Sequence, residues 1–275
     1  MRAHGYDVIA ATHDRAALER LLVRLGYEPI ADQRGVTWWH PGGRTAVFLG
    51  GVVAGGGAPT GTAELIRSMV DAGAATIVLG PAEFAAIAAA HRRRDRVLVA
   101  AGAPGVGDSA AWERSTRDHR RDELAAWLRT VPLWLDLPGL RVVHARWNDF
   151  DIAALRVVLD GNCLADDGVV TAACTPGSWA STAVRTLLGL ADARSRAAED
   201  DEPSAGATPV IVAEHAAATA PGSRTRRHAL AVRDGVPRSV AVGYRWSGER
   251  ELDARHLVRD DAQPVTPTSN ADGRS

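Results

Sequence analysis

Lysine is absent from the 275 residues, so every cationic side chain of the Lys/Arg class, 32 in all, is arginine. This excludes a P-loop, whose lysine reaches the β- and γ-phosphates, and any Schiff-base chemistry on a lysine amine. Cysteine is almost absent too. Cys163 and Cys174 cannot build a disulfide framework and lack the close spacing of a thiolate metal site, so structural thiols in a reducing compartment are expected. Charge of either sign is not in excess. Thirty-three acidic residues balance the arginines to a formal net charge of −1, and no basic field recruits nucleic acid or an anionic membrane. No stretch approaches the roughly 18 apolar residues of a membrane span. The first residues, from Met1 to Asp7, carry no apolar run of the signal-peptide kind. The expectation is a cytoplasmic protein whose partner is neither nucleic acid nor membrane.

What is present is a soluble composition, 46% hydrophobic and 24% charged, with short apolar runs alternating with amphipathic segments. Tyr6 to Ala11 reads as a buried strand. Asp14 is placed to cap a helix bearing Leu18, Leu21, Leu22 and Leu25 on one face, and Gly26 closes it. Strands are expected at Thr45–Leu49 and Thr76–Leu79, with helices at Thr62–Ala72 and Pro81–His91. Farther on, a helix over Asp122–Leu128 precedes two strands, Leu133–Leu137 and Leu140–His144, joined by the turn Pro138-Gly139. Helices are expected at Ile152–Leu159 and Ser181–Leu190, a strand at Val210–Ala213, and a terminal antiparallel meander from Ala229, Ser239 and Glu251 onward. Residues 192–207 and the tail 261–275 read as disordered, leaving one domain over residues 1–260. This alternation argues an α/β fold with strands covered on both faces.

The strand ends carry the chemically informative residues. In order they are Tyr6-Asp7-Val8-Ile9-Ala10-Ala11-Thr12-His13, then Thr45-Ala46-Val47-Phe48-Leu49-Gly50-Gly51 running to Gly56, then Val78-Leu79-Gly80-Pro81-Ala82-Glu83. Leu140-Arg141-Val142-Val143-His144-Ala145 and Pro209-Val210-Ile211-Val212-Ala213-Glu214-His215 follow. Taken together, over about residues 6 to 258, these blocks resemble the calcineurin-like metallophosphoesterases, in the subgroup similar to diadenosine tetraphosphatases and bacterial serine/threonine phosphatases. That family places its ligands after consecutive strands, in the order G-D-x-H, G-D-x-x-D-R-G, G-N-H-E/D, H-A and G-H. The resemblance implies a four-layer sandwich, two mixed β-sheets flanked by helices. It also implies a two-metal phosphoester hydrolase, in which a bridging carboxylate holds both cations and metal-bound water is the nucleophile.

The same alignment of blocks implies that the site has been dismantled. The first aspartate of the family falls at Ala11, the bridging aspartate at Gly51, and that motif's second aspartate and its arginine at Ala54 and Gly55. The asparagine falls at Pro81 and the catalytic histidine at Ala82. His13, His144 and His215 remain as candidate metal ligands, residual or vestigial, with Glu83 or Asp14 as possible helpers. Three imidazoles split between two sites fall short of the three or four ligands of a zinc centre. The expectation is therefore a pseudophosphatase with no catalytic residue and no cofactor, binding a protein or a phosphorylated ligand. The alternative is a divergent phosphoesterase with one weakly held divalent metal, Mn or Zn. The glycines Gly50-Gly51 and Gly55-Gly56-Gly57 read either as a phosphate-cradling loop or as a loop in which a motif decayed. Arg92-Arg93-Arg94 reads as a solvated charge run.

Overall fold

The structure is a computed structural model and describes residues 5–10, 14–32, 35–53, 60–94, 118–190, 208–214, 225–226, 229–233 and 241–260. The segments 192–207 and 261–275, expected to be disordered, lie outside these residues. The chain is α/β, with two mixed five-stranded sheets flanked by helices. The first sheet has the order β12-β11-β1-β4-β5, from Leu257–Arg259, Val242–Trp246, Tyr6–Ala10, Thr45–Phe48 and Ala75–Ile77. The second has the order β6-β7-β8-β10-β9, from Trp134–Leu137, Leu140–Val143, Val210–Glu214, Ala229–Arg233 and Thr225–Arg226. A separate hairpin pairs β2, Glu28–Asp32, with β3, Gly35–Trp39. The helices are α1 Arg15–Arg24, α2 Thr60–Asp71, α3 Pro81–Arg94, α4 Asp118–Leu128, α5 Asp149–Arg156, α6 Asp167–Cys174 and α7 Trp179–Leu187.

Period-two patterning sorts the strand residues into two clusters. Val8, Val47 and Leu49 of the first sheet share one buried cluster with Leu140, Val142 and Ile211 of the second, together with Tyr244 and Trp246. Their sequence neighbours Ile9, Ala46, Phe48 and Val143 face the other way, into a cluster built with Leu18, Leu21, Leu65, Ile66, Leu155 and Val184 of the helices. Strands buried on both faces explain why the sequence reads there as continuous apolar runs.

Local signals set the helix ends. Asp14 Oδ1 accepts the amides of Ala16 and Ala17, and α1 ends where Tyr27 donates to the Leu22 carbonyl and Gly26, at φ +82°, donates to Val23. This is a Schellman arrangement, and it matches the cap and stop read from Asp14 and Gly26. The terminal meander is a correction. Strand β10 pairs parallel with β8 and antiparallel with β9 in the second sheet, whereas β11 and β12 belong to the first. Residues Ala229–Arg233 and Val242–Trp246 are thus neighbours in sequence but not in one sheet. A run of alternating strands does not say which sheet each one joins, since either edge satisfies the same local pattern.

A buried polar network ties the start of β1 to its surroundings. The Asp7 side chain is fully buried, and its two oxygens accept from Arg44 Nε at 3.0 Å and Arg245 Nε at 3.1 Å. Arg44 also donates to the carbonyls of Tyr6 and Trp246, and Arg245 to that of Leu25. Burial, with the Asp7 charge alongside, pushes the Tyr27 phenol far above its ordinary range. His40 packs edge-on against Tyr27 and accepts the Gly42 amide on Nδ1 at 2.9 Å, so its proton sits on Nε2, towards the Leu25 carbonyl.

Burial lowers the His40 pKa below its ordinary 6.5, helped by Arg245 and Arg44 and opposed by Asp7. As pH falls the unfolded chain therefore takes the proton first. The stability contributed by the neutral ring is complete above about pH 6.5 and is lost as pH falls towards the folded value. Urea midpoints compared between about pH 7 and pH 5 should fall more steeply for the wild type than for His40→Asn, which keeps an acceptor for Gly42 without titrating.

Candidate functional site

The parallel strands β1, β4 and β5 end at one edge of the first sheet, and β7 and β8, parallel to each other, end beside them in the second. His144, one residue past β7, makes the junction. It is 2% exposed, its Nδ1 lies 2.5 Å from the Leu49 carbonyl past β4, and its own carbonyl accepts the Ala213 amide of β8 at 2.7 Å. A carbonyl oxygen only accepts, so Nδ1 donates, and in the neutral ring the lone pair is on Nε2.

Glu83 occupies the centre of this edge. It is fully buried, and its two oxygens accept four backbone amides. Oε1 takes Val52 at 2.8 Å and Val53 at 3.0 Å; Oε2 takes Gly51 at 3.2 Å and Gly80 at 3.1 Å. Three consecutive amides point one way because Gly50 and Gly51 both take left-handed backbone, φ +74° and +75°. Successive amides in such a turn form a nest with positive potential in its concavity. The fourth amide comes from the start of α3, where the bond from Gly80 to a glutamate three residues later is half of a capping box. Pro81 stands at the first helical position, where its missing N–H costs nothing.

Two glycines make the approach possible. A Cβ on Gly50 would lie 2.8 Å from the Gly80 nitrogen and 2.9 Å from its Cα, so the two loops touch backbone to backbone. A Cβ on Gly80 would lie 2.5 Å from Glu83 Oε2 and 3.0 Å from His144 Nδ1. The carboxylate, the imidazole and the glycine loop thus converge on one point.

The positions expected to matter divide into three groups. Gly51, Pro81 and Ala82 are at this edge, and none carries a ligating side chain; Gly51 contributes its amide to Glu83. His144 is at the edge as well. Ala11, His13, Ala54, Gly55 and His215 lie outside the described residues. The two proposed helpers are committed elsewhere, Glu83 to four amides and Asp14 to the α1 cap. Among the described residues no group of three or more His, Cys, Asp or Glu side chains is arranged to hold a metal. A two-metal centre does not fit the donor set described here, because Gly51, Pro81 and Ala82 offer no ligating side chain and the carboxylate at its middle already accepts four amides.

The amides of Gly51, Val52 and Val53 are thus already filled, by the chain's own carboxylate, while Gly55, Gly56 and Gly57 lie outside the described residues. Cys163 lies 3.0 Å from the carbonyls of Thr130 and Gly161, and burial pushes its thiol up to about 11, as befits an inert thiol. Ser178 caps α7 through the Ser181 amide.

Removing the Glu83 carboxylate strands four amides in a closed site. Glu83→Ala is expected to cost several kcal/mol of unfolding free energy, at about 1–3 kcal/mol for a buried amide left unpaired, as read from urea denaturation. Gly80→Ala should destabilise for a different reason, steric overlap with Glu83 and His144. Its effect should shrink when it is combined with Glu83→Ala, which a double-mutant cycle measures.

No family model matches the chain, and no curated protein matches it. Among solved structures it is similar to one carrying a provisional assignment as a diadenosine tetraphosphatase. The identity is 13% over 94% of this chain and 93% of that one, with a TM-score of 0.48. A likeness of that size names neither a family nor an activity for the present chain.

Proposed function

We propose that this chain is a metallophosphoesterase-like pseudophosphatase, a non-catalytic relative with a binding or regulatory role towards a protein or a phosphorylated ligand. The observation that carries this reading is the Glu83 clasp. Where a phosphoesterase needs carboxylates aimed at two cations, this edge has amides aimed at one carboxylate. Gly51, Pro81 and Ala82, at the positions of bridging aspartate, asparagine and catalytic histidine, supply neither a ligand nor an acid. The same reading assigns the two sheets and their helices to the four-layer sandwich of that family, as one domain over residues 1–260. It places the protein in the cytoplasm; among the described residues, no helix is long and apolar enough to cross a membrane.

A second reading is favoured by one observation. His144 donates from Nδ1 to a backbone carbonyl, which is how metal-bound histidines are commonly oriented, with Nε2 as the ligating nitrogen. Together with His215, and with His13, it would hold a single divalent metal of a divergent phosphoesterase.

One experiment separates them. The protein is loaded with manganese and zinc, desalted, analysed for metal and assayed with p-nitrophenyl phosphate and its diester. The first reading expects well under one metal per chain and no turnover above a metal-only blank. Near-stoichiometric metal with turnover that disappears in His144→Ala would replace it with the second.

A further inference from the structure

We infer that the loop 50–53 and the start of α3 form an anion-binding nest for a carboxylate, that Glu83 is its ligand supplied in cis, and that this internal anion holds the strand ends together in the folded chain. Four amides from two separate segments converge on one group at 2.8–3.2 Å. The convergence requires two successive left-handed glycines and backbone contact between Gly50 and Gly80. A helix cap accounts only for the Gly80 amide; those of Gly51, Val52 and Val53 lie some thirty positions earlier in the sequence and owe nothing to α3. Buried amides left unpaired are costly, so this backbone conformation depends on an anion being present. In the native chain the nest is full and closed, because Glu83 is fully buried. Phosphate or carboxylate from solution has no free amide here, although a glycine-rich loop invites such a reading. Glu83 is thus a positioning residue. It fixes the loop beside His144 through Gly80, and it touches no substrate.

The chemistry of the side chain supplies the test. Glutamate exceeds alanine by one methylene and a carboxylate, the skeleton of acetate. In full-length Glu83→Ala the vacated nest should accept an acetate ion. The melting temperature of the variant should fall well below that of the wild type. Sodium acetate should then restore a large part of the loss saturably, while sodium chloride at equal ionic strength should not. The wild type and Leu257→Ala, a control truncated in the core on β12, three strands from β4, should show no saturable acetate response. An acetate response in Glu83→Ala no larger than in Leu257→Ala overturns the inference. If Glu83→Ala does not fold, amide hydrogen exchange of the wild type against Glu83→Gln decides. Gly51, Val52, Val53 and Gly80 should exchange at least tenfold more slowly in the wild type, and equal rates overturn the inference. Neither readout uses metal or phosphoester turnover, so the pseudophosphatase reading and this one can fail separately.

Discussion

The carboxylate of Glu83 and the amides that surround it are the contact on which the geometry of the strand ends depends. Its consequences run in a chain. A fully buried carboxylate must have its lone pairs satisfied, and no lysine exists in the sequence to do it. The donors are backbone amides, which can converge only if Gly50 and Gly51 turn into left-handed conformation. That turn brings Gly50 against Gly80, so both positions exclude a side chain. The space freed at Gly80 is filled by the Glu83 oxygen and the His144 ring, and His144 reaches on to the Leu49 carbonyl, joining the second sheet to the first. Each step is a steric or hydrogen-bonding requirement of the one before.

A second buried carboxylate, Asp7 near the start of the same sheet's β1, solves the same problem by other means. It is held by two guanidiniums, which bring full charges and link β1 to Arg44 just before β4 and to Arg245 in β11. Glu83 is held by dipoles alone. The difference follows from what each location allows. Arg44 and Arg245 reach Asp7 from partly accessible positions at the sheet's flank, with side-chain exposures of 15% and 37%. At Glu83 two backbones are in contact and leave no room for a long side chain. Arginine supplies reach at the periphery, and backbone amides supply closeness at the centre.

Much of the frame was legible in the sequence because its signals are local. Asp14 announced the start of α1 and Gly26 its end; Pro138-Gly139 announced the turn between β6 and β7. Buried strands announced themselves as apolar runs. What was hidden is what depends on partners distant in sequence. Asp7 sits within a run that reads as a buried apolar strand, and nothing nearby shows that Arg245 lies opposite it. The hairpin of β2 and β3 is hard to see in the sequence because Pro29 and the polar residues of Glu28–Asp32 mute its alternation. Helix α6, eight residues entered through Asp166 and Asp167, is too short for its periodicity to stand out. At the site, the positions of Gly51, Pro81, Ala82 and His144 were legible, but the role of Glu83 was not. From the resemblance alone, Glu83 reads as a possible metal helper. The spacing Gly80-Pro81-Ala82-Glu83 did carry a signal, a helix start with proline in its first turn and glutamate at its third position, which points the carboxylate back at amides and away from any cation.

The polarity of the clasp restricts which side chains this edge can take. A cation centre and an amide nest cannot share the same point, since the first needs negative groups aimed inward and the second is defined by positive ones. A carboxylate introduced at position 51 would enter on backbone at φ +75°, which disfavours any side chain, and beside the oxygens of Glu83, which repel it. Polar side chains at positions 81 and 82 would leave Glu83 in place and its four amides still pointing inward. A single new carboxylate at this edge therefore works against the clasp that is there. In this fold an internal anion, the Glu83 carboxylate, holds together the loops that follow β4 and β5.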